Sequence, residues 1–509
     1  MRLIKKYSLG VLALARLSLA FDSGSQPNAS LPINQKYLSA CKDIEKKVSG
    51  VYYFGMEAPR NPLYVKGNSH WASSSDQNST CVVEPASAKD VSAIMKIIGK
   101  TRTPVSVRSG GHTTNKGFSS TLGVQVALFK LNQVVYHAAP LAKDGSVGTV
   151  EYGAGLVWDE VYAALEVHKV TVVGARVSGI GVGGFTLGGG YSYLSNQHGL
   201  AIDNLVSCEV VLPDGTITTA SATHNPDLFF GLKGGLNNFG IVTKFTTLAY
   251  PQTKVWGGVQ MFSPVQLQAV SQATVDFVAH VTDPKAAIIT SIFTTPVNGT
   301  AIMSASVSMF YDGPTPPAGI FERFTDIPHV SSDLSARSMT SLVQASPSNA
   351  TYGLRSTFNT VSLKTYTSAL LEGVQNQTMS WSEKMVPRGG FLVSFSIEPF
   401  LPSMSKKSKG GAYPHDNFLT PVNIDMAWVP QASDSFFIDG AKESAKALMN
   451  QAIAEGQNIA GALEIKYPNY SPADEDLKSM YGANLDRLRA IKQKYDPKNV
   501  MSLAGGYRF

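Results

Sequence analysis

The sequence predicts an α+β protein of two domains, and three observations predict it. The chain has 509 residues, more than one hydrophobic core usually serves. Its first half alternates strands and helices around two glycine-rich runs, VRSGGHTTNKGFSS from Val107 to Ser120 and GIGVGGFTLGGG from Gly179 to Gly190. After about Tyr250 no such run recurs, and strands alternate with short helices.

Taken in order, residues 1–20 have a basic head (Arg2, Lys5, Lys6), an apolar body from Leu9 to Leu19 and small residues at Ser18 and Ala20. This is the pattern of a secretory signal peptide, with Arg16 out of place in the apolar body. No other stretch is apolar for the length a bilayer needs, so the processed chain is expected to have no membrane partner. Four of the 43 basic residues lie in residues 1–20, which leaves 39 against 37 acidic ones. With only 16% of residues charged and no basic stripe, nucleic acid is not an expected partner.

Three cysteines are too few for a disulfide framework or a zinc site with paired spacing, and no metal is expected. Cys41 lies in a polar, helical stretch and Cys81 opens the strand Cys81 to Glu84, whereas Cys208 sits in the apolar strand VSCEVVL. A Cys41–Cys81 bridge and a buried Cys208 thiol are expected, as suits an oxidising compartment. Sequons stand at Asn28, Asn78, Asn298, Asn349, Asn376 and Asn469.

From Cys81 the pattern is strand, helix from Ala88 to Ile98 stopped by Gly99, and strand PVSVR; Val91, Ile94, Met95 and Ile98 share one helix face. A second such unit is expected from a strand at Thr149 to Tyr152, a helix from Val157 to Val167 and a strand at Val170 to Val173. Val206 to Leu212 and Gly240 to Leu248 are further strands. In the second half Ala301 to Phe310, Phe391 to Ile397 and Val422 to Trp428 alternate as strands do, and Leu485, Leu488 and Ile491 return to helical spacing.

His112 stands directly behind Gly110 and Gly111 on a loop leaving a strand. Those glycines permit positive φ and let backbone approach a ligand, and successive N–H groups in such a turn bind anions. Two glycine-lined stretches can cradle one long ligand. Gly179 to Gly184 also fits the G-x-G-x-x-G of a nicotinamide-dinucleotide loop. Such a loop opens a helix and places an acid near the end of the next strand, but here Gly188 to Gly190 oppose a helix and Asp203 precedes its strand.

RSGGH, VGGFTLGGGYSYLSNQHGLAIDNL, LPDG and LKGGLNNFGIV resemble the FAD-binding module of the berberine-bridge-enzyme-like flavoprotein oxidases, over most of the mature chain. YPNY, YGAN and YDPKNV resemble the C-terminal segment that in this family folds back onto the FAD domain. The resemblance implies a two-subdomain α/β FAD-binding domain of PCMH or vanillyl-alcohol-oxidase-like type, and a substrate domain with an antiparallel sheet backed by helices. The implied boundaries are 1–20 signal, 21–76 N-terminal part of the FAD domain, 77–252 its PCMH-type body, 253–455 substrate domain and 456–509 the returning segment.

In that family the histidine of RSGGH is bonded to the 8α-methyl of FAD, and His112 holds that position. A second attachment uses a cysteine where this chain has Val177, so a single covalent link is implied. The expected cofactor shell is Arg108, Ser109, Gly110, Gly111, His112 and Gly117 on the first run, and Ile180, Gly181, Gly183, Gly184, Gly188 and Gly189 on the second. Asn238, Gly240, Ile241 and Asn469 complete it, and Asn469 is on that account set aside as a glycosylation site. Ile180 stands where the family uses valine or leucine to admit or block oxygen, which leaves the electron acceptor open, with O2 favoured.

Oxidation of a C–H by the flavin needs a base for the hydroxyl or amine proton. Tyr467 and Tyr470 of YPNY are candidates by resemblance, and either needs its pKa of about 10 lowered. His198 replaces an active-site tyrosine of many relatives and titrates near neutrality; the other role open to it is positioning Asp203. Asp425 in VNIDMAW is a weaker candidate, because an acid on an alternating strand more often faces solvent.

The expected function is a secreted FAD-linked oxidase of fungal secondary-metabolite type. It passes hydride from a small natural product to covalently bound FAD, with reoxidation by O2 to H2O2. A carbohydrate or alcohol oxidase is the second reading, with Val177 against it. A flavin-binding protein without turnover is the third, with both tyrosines against it. Oligomeric state is left open.

Overall fold

The alternation of apolar and polar residues in short segments around Cys81 builds a four-stranded sheet in the computed structural model, which describes residues 35–55, 61–346, 348–417, 419–459, 461 and 464–509. The signal-like head and the Asn28 sequon lie outside the described residues. Strand β1 (Val51–Tyr53) runs antiparallel to β2 (Cys81–Val83), and β3 (Val105–Arg108) and β4 (Val124–Ala127) follow in parallel, in the order β1-β2-β4-β3. Helix α1 (Gln35–Glu45) is tied to β2 by the Cys41–Cys81 disulfide, and Cys208 is a buried free thiol that burial pushes up to about 12. Helix α2 (Ala88–Thr101) starts where Ser87 accepts the Asp90 N–H, and it buries Val91, Ile94, Met95 and Ile98. Gly99 does not stop it. The helix ends at Arg102, which takes the left-handed conformation (φ 53°) and returns its N–H to the Ile98 carbonyl.

A second sheet has β5 (Val134–Ala138), β6 (Gly148–Gly153), β7 (Leu205–Val211), β8 (Ile217–Ser221) and β9 (Ile241–Leu248) in the order β5-β6-β9-β7-β8, all antiparallel. Helix α3 (Trp158–Glu166) follows β6, but the expected second strand–helix–strand unit does not close. Only Val170–Thr171 is strand, and it pairs with Tyr250–Pro251. The reason is that β5 and β9 already occupy both edges of β6. The glycine run also departs from expectation, since Val182–Leu187 forms a short helix, α4. Gly188 caps this helix instead of preventing it, and Gly189 and Gly190 carry the positive φ angles of the turn that follows (127° and 84°).

The second half forms one large antiparallel sheet. Its strands are β10 (Val255–Phe262), β11 (Ala286–Val297), β12 (Thr300–Tyr311), β13 (Arg355–Leu363), β14 (Gly390–Ile397) and β15 (Thr420–Trp428), in the order β10-β12-β11-β14-β15-β13, with short pieces at 331–332 and 335–337 on β10. Successive side chains point to opposite faces. Ile288, Ile292, Val393, Phe395, Ile424 and Met426 share a core with Val270 and Phe277 of α5 (Leu267–His280), Leu370 and Val374 of α6 (Ser368–Lys384), and Phe437 and Leu448 of α7 (Asp434–Ala454). The interleaved residues, among them Ser291, Phe293, Ser394, Ser396, Asn423 and Asp425, face away from those helices and line a cavity.

The chain then returns to the first core. Helix α8 (Leu485–Tyr495) buries Leu485, Leu488 and Ile491 there, and Ala504 makes a parallel bridge to Val105 of β3. Arg102 adds hydrogen bonds to the carbonyls of Lys498 and Asn499. Among the described residues no helix is long and apolar enough to cross a membrane.

Candidate active site

The two glycine runs meet backbone to backbone. A Cβ on Gly110 would overlap the Gly181 amide nitrogen, and one on Gly181 would overlap the Gly110 nitrogen. Ser109 fastens the contact by accepting the Gly183 N–H at 3.1 Å. Between these loops, the returning C-terminal segment and the polar face of the large sheet lies a cavity of about 880 Å³. Of the expected residues, Ser109, Gly110, Gly111, His112, Ile180, Gly181, Gly183, Gly184, Gly240, Ile241, Tyr467, Asn469, Tyr470 and Asp425 line it.

Six expected residues stand outside that lining. Arg108 lays its guanidinium over Phe129 at 4.8 Å, and burial lowers its pKa to about 10. Gly117 takes φ 89°, and its carbonyl lies where a Cβ on Gly505 would fall. Gly188 and Gly189 leave space for YPNY: a Cβ on the first would overlap the Asn469 side chain, and one on the second would come within 3.0 Å of the Tyr467 ring. Asn238 is buried and braces a turn, donating to the Gly235 carbonyl and accepting from Arg508. His198 stacks on Tyr250 at 3.6 Å, its carbonyl accepts from Asn204, and burial pulls its pKa down to about 4. It does not position Asp203 either, whose carboxylate is held by the Leu200 and Lys409 amides and by His415.

His112 is enclosed. Its ring stacks on Trp71 at 4.4 Å, Phe358 of β13 lies 6.3 Å away at 12°, and Nε2 is buried without a hydrogen-bond partner. Burial lowers its pKa to about 4, so the imidazole is neutral at physiological pH.

The two tyrosines have different surroundings. The Tyr467 hydroxyl accepts from the Gly190 N–H at 2.9 Å and from Asn469 Nδ2 at 3.0 Å, which ties YPNY to the turn after α4. Burial raises its pKa, and those two donors act the other way. The Tyr470 hydroxyl donates to Glu398 Oε1 at 3.0 Å and accepts from Arg176 Nη2 at 2.9 Å, while Arg176 Nη2 also lies 2.7 Å from Glu398 Oε2. Burial and then the Glu398 carboxylate hold the Tyr470 phenol well above 10, with Arg176 opposing. Burial works against the charge on Arg176, and the attraction of Glu398 together with Tyr470 outweighs it and keeps the guanidinium protonated.

Arg176 and Glu398 were not foreseen. A signal was present: each is the only Asp, Glu, Lys or Arg in a long stretch, between Lys169 and Asp203 and between Arg388 and Lys406. Lone charges in such stretches are buried only when paired.

Asp425, the weaker candidate for the base, faces the cavity. It lies in register between Phe358 of β13 and Ser394 of β14. Its Oδ1 has no hydrogen-bond partner, and burial pushes its pKa up to about 7. Part of its surface is accessible, but that surface opens onto the cavity. Asn423, two residues earlier on the same face, also has an unpartnered Oδ1. The sequons at Asn78, Asn298, Asn349 and Asn376 are exposed, whereas Asn469 is engaged with Phe185 and Tyr467. Among the described residues no group of three His, Cys, Asp or Glu side chains is placed to hold a metal ion.

Comparison with known proteins places this geometry. A family model described as FAD binding domain matches residues 79–221, and one described as berberine and berberine like matches residues 466–504. The FAD-dependent monooxygenase drtC of Aspergillus calidoustus is 32% identical over 456 residues, covering 86% of this chain and 84% of that protein. The chain belongs to the berberine-bridge-enzyme-like FAD-linked oxidoreductases. Among solved structures, berberine bridge enzyme from Eschscholzia californica matches with a TM-score of 0.72 and 19% identity over 91% of this chain and 97% of that one. The carbohydrate oxidase from Microdochium nivale matches with 0.69 and 22% over 87% and 95%. Both structural likenesses are of fold.

The residues of this berberine-bridge-like chain fit FAD. The two loops, in backbone contact at Gly110 and Gly181, line one cavity with a neutral imidazole whose Nε2 is unpartnered. Gly181→Ala should therefore separate the loops and lower flavin content by roughly tenfold, as a loss of a little over 1.4 kcal/mol of binding free energy implies. The ratio of flavin to protein absorbance in purified material checks this, and wild-type content would count against the contact.

Proposed function

We propose that this flavoenzyme oxidises a small natural product by two electrons, with FAD held by a single covalent link to His112 and reoxidised by O2. In this reading residues 21–76, 77–252 and 456–509 hold the cofactor and 253–455 present the substrate. The observation that carries the proposal is the buried Arg176–Glu398–Tyr470 network at the cavity wall. When bound, FAD supplies the two-electron acceptor; the protein supplies position and proton transfer.

A resting phenolate at Tyr470 is disfavoured by burial and by Glu398. A relay does not need one. A substrate O–H or N–H passes its proton to the Tyr470 oxygen while the Tyr470 proton moves the 3.0 Å to Glu398. Arg176 stays bonded to both oxygens and compensates charge on either. Tyr467 acts as a bracket, since two backbone-anchored donors already hold its hydroxyl. Trp71 and Phe358 close the cavity beside His112 and keep water from it.

Secretion is supported by the Cys41–Cys81 bridge and the exposed sequons. The single link is supported by Val177, which lines the cavity but has no atom able to form a second bond to the cofactor. The relatives' names favour a second reading, a monooxygenase that places oxygen in its product. Turnover under ¹⁸O2 separates the two, since an oxidase leaves the label in peroxide.

Acid-precipitated wild-type protein should stay yellow, and His112→Ala should release the colour to the supernatant; a yellow wild-type supernatant would refute the link. Tyr470→Phe should slow flavin reduction by substrate roughly 10²- to 10⁴-fold in anaerobic stopped flow, with flavin content unchanged. Glu398→Gln should do the same, whereas reoxidation by O2 stays at the wild-type rate in both. Wild-type reduction by Tyr470→Phe would remove the relay.

A further inference from the structure

The exposed sequons take no part in the relay, and one of them stands at the cavity. Of the sequon asparagines among the described residues, Asn349 and Asn469 line it. Asn469 is engaged with Phe185 and Tyr467, whereas Asn349 is exposed. Among the described residues of the cavity wall only Gly184 and Asn349 are exposed, so Asn349 is the one side chain that marks where the cavity meets solvent.

The turn that carries it, Ser348–Thr351, is pinned on both sides. Trp71 donates from Nε1 to the Ser348 carbonyl at 3.0 Å, and the Gly353 N–H returns to the Trp71 carbonyl at 2.9 Å. The Ser348 hydroxyl donates to the Ser178 carbonyl at 3.1 Å. Trp71 is the residue stacked on His112, and Ser178 directly precedes the second glycine run. The rim at Asn349 is therefore tied to both glycine loops and holds a fixed place above the histidine.

We infer that Asn349 carries an N-linked oligosaccharide, and that this glycan screens the cavity mouth by size. The inference rests on the secretory and oxidative reading and adds to it a selection of what reaches the flavin. An oligosaccharide is bulky and hydrated, so it stays outside the cavity and covers the opening. O2 and a small natural product pass; a partner borne on a polymer or a protein does not. In the modification the Asn349 Nδ2 bonds to the anomeric carbon of the sugar, the bond from that carbon to a lipid-linked pyrophosphate breaks, and the amide gives up one proton. No electron changes hands. Transfer acts on the chain before it folds, so the burial of Thr351 in the folded protein does not oppose it. Asn78, Asn298 and Asn376 are exposed away from the cavity, just before β2, in the turn between β11 and β12, and on α6.

The test uses holoenzyme secreted by a yeast host. Endoglycosidase treatment in H2¹⁸O, read by peptide mass spectrometry, should label Asn349. Flavin is then reduced chemically without O2 and reoxidised by free benzoquinone or by benzoquinone linked to dextran, which differ in bulk alone. Each quinone takes two electrons and two protons and becomes the hydroquinone. Asn349→Gln should raise the rate with the dextran-linked quinone roughly tenfold and leave the free quinone within about twofold, since steric restriction acts on the encounter. Endoglycosidase-treated wild type should behave as the variant does, which keeps the comparison if the variant fails to fold; Asn298→Gln and Asn376→Gln should change neither rate. An unlabelled Asn349, or no gain with the dextran-linked quinone once its glycan is gone, would overturn the inference. The two readings fail separately. Label at Asn298 or Asn376 with none at Asn349 counts against the glycan alone, whereas label at no sequon counts against secretion as well. Chemically reduced flavin needs neither the Tyr470 relay nor O2, so loss of either leaves this assay intact.

Discussion

The rest of the site depends on the approach of Gly110 to Gly181, where two loops from different parts of the first half touch with no side chain between them. Each loop leaves a framework that fixes its direction. The first leaves β3, an edge of the four-stranded sheet, and the second opens α4, whose first turn is fastened to Ser109. Because the backbones touch, both sets of amides face the same space, and His112 is carried to its end. A methyl group at either glycine would have to displace backbone, which a packed interior does not absorb by small adjustments. The cavity and the histidine are therefore consequences of one contact.

From that contact the chain builds outward by covering what the loops leave open. Tyr467 and Asn469 reach the turn after α4 through the space that Gly188 and Gly189 vacate. Phe358, from β13 in the other half, lies against Trp71 and completes the wall beside His112. The large sheet can do this because its period-two pattern is split: one face is apolar and sealed by three helices, the other is hydroxyl-rich and turned to the cavity. An antiparallel sheet solvated on one side would show the same alternation. Here the polar side faces an internal space, so an acid on β15 lines the cavity instead of the outer surface.

That ambiguity explains what was legible in the sequence. The glycine runs and His112 could be read because their signal is local, two glycines ahead of a histidine and a second run to match. The disulfide was readable from the contexts of three cysteines, and the strands of the large sheet from their period. The Arg176–Glu398 pair was not, since its members stand 222 residues apart and neither sits in a glycine motif. The stop at Gly99 and the strand through Val173 were misread for tertiary reasons: Arg102 supplied a better cap, and β6 had no free edge. His198 was drawn into the site by its place in a motif, but its ring found Tyr250 first. Gly188 and Gly189, assigned to the cofactor shell, stand where Asn469 and Tyr467 pack, and a glycine that admits a side chain and one that admits a ligand look alike in one dimension.

The two carboxyls in the cavity then differ by environment and not by residue type. Glu398 carries Arg176 as a counter-ion and Tyr470 as a donor, so it is a place where a proton can arrive without leaving an unbalanced charge. Asp425 has neither, and burial alone sets its titration. Acids in such different surroundings can take separate tasks. A cation drawn to Glu398 would compete with Arg176, and a proton delivered to Asp425 would meet no bonded tyrosine. The difference follows from where Arg176 is placed, the only Lys or Arg of the cavity wall among the described residues, three residues before the second glycine run begins at Gly179.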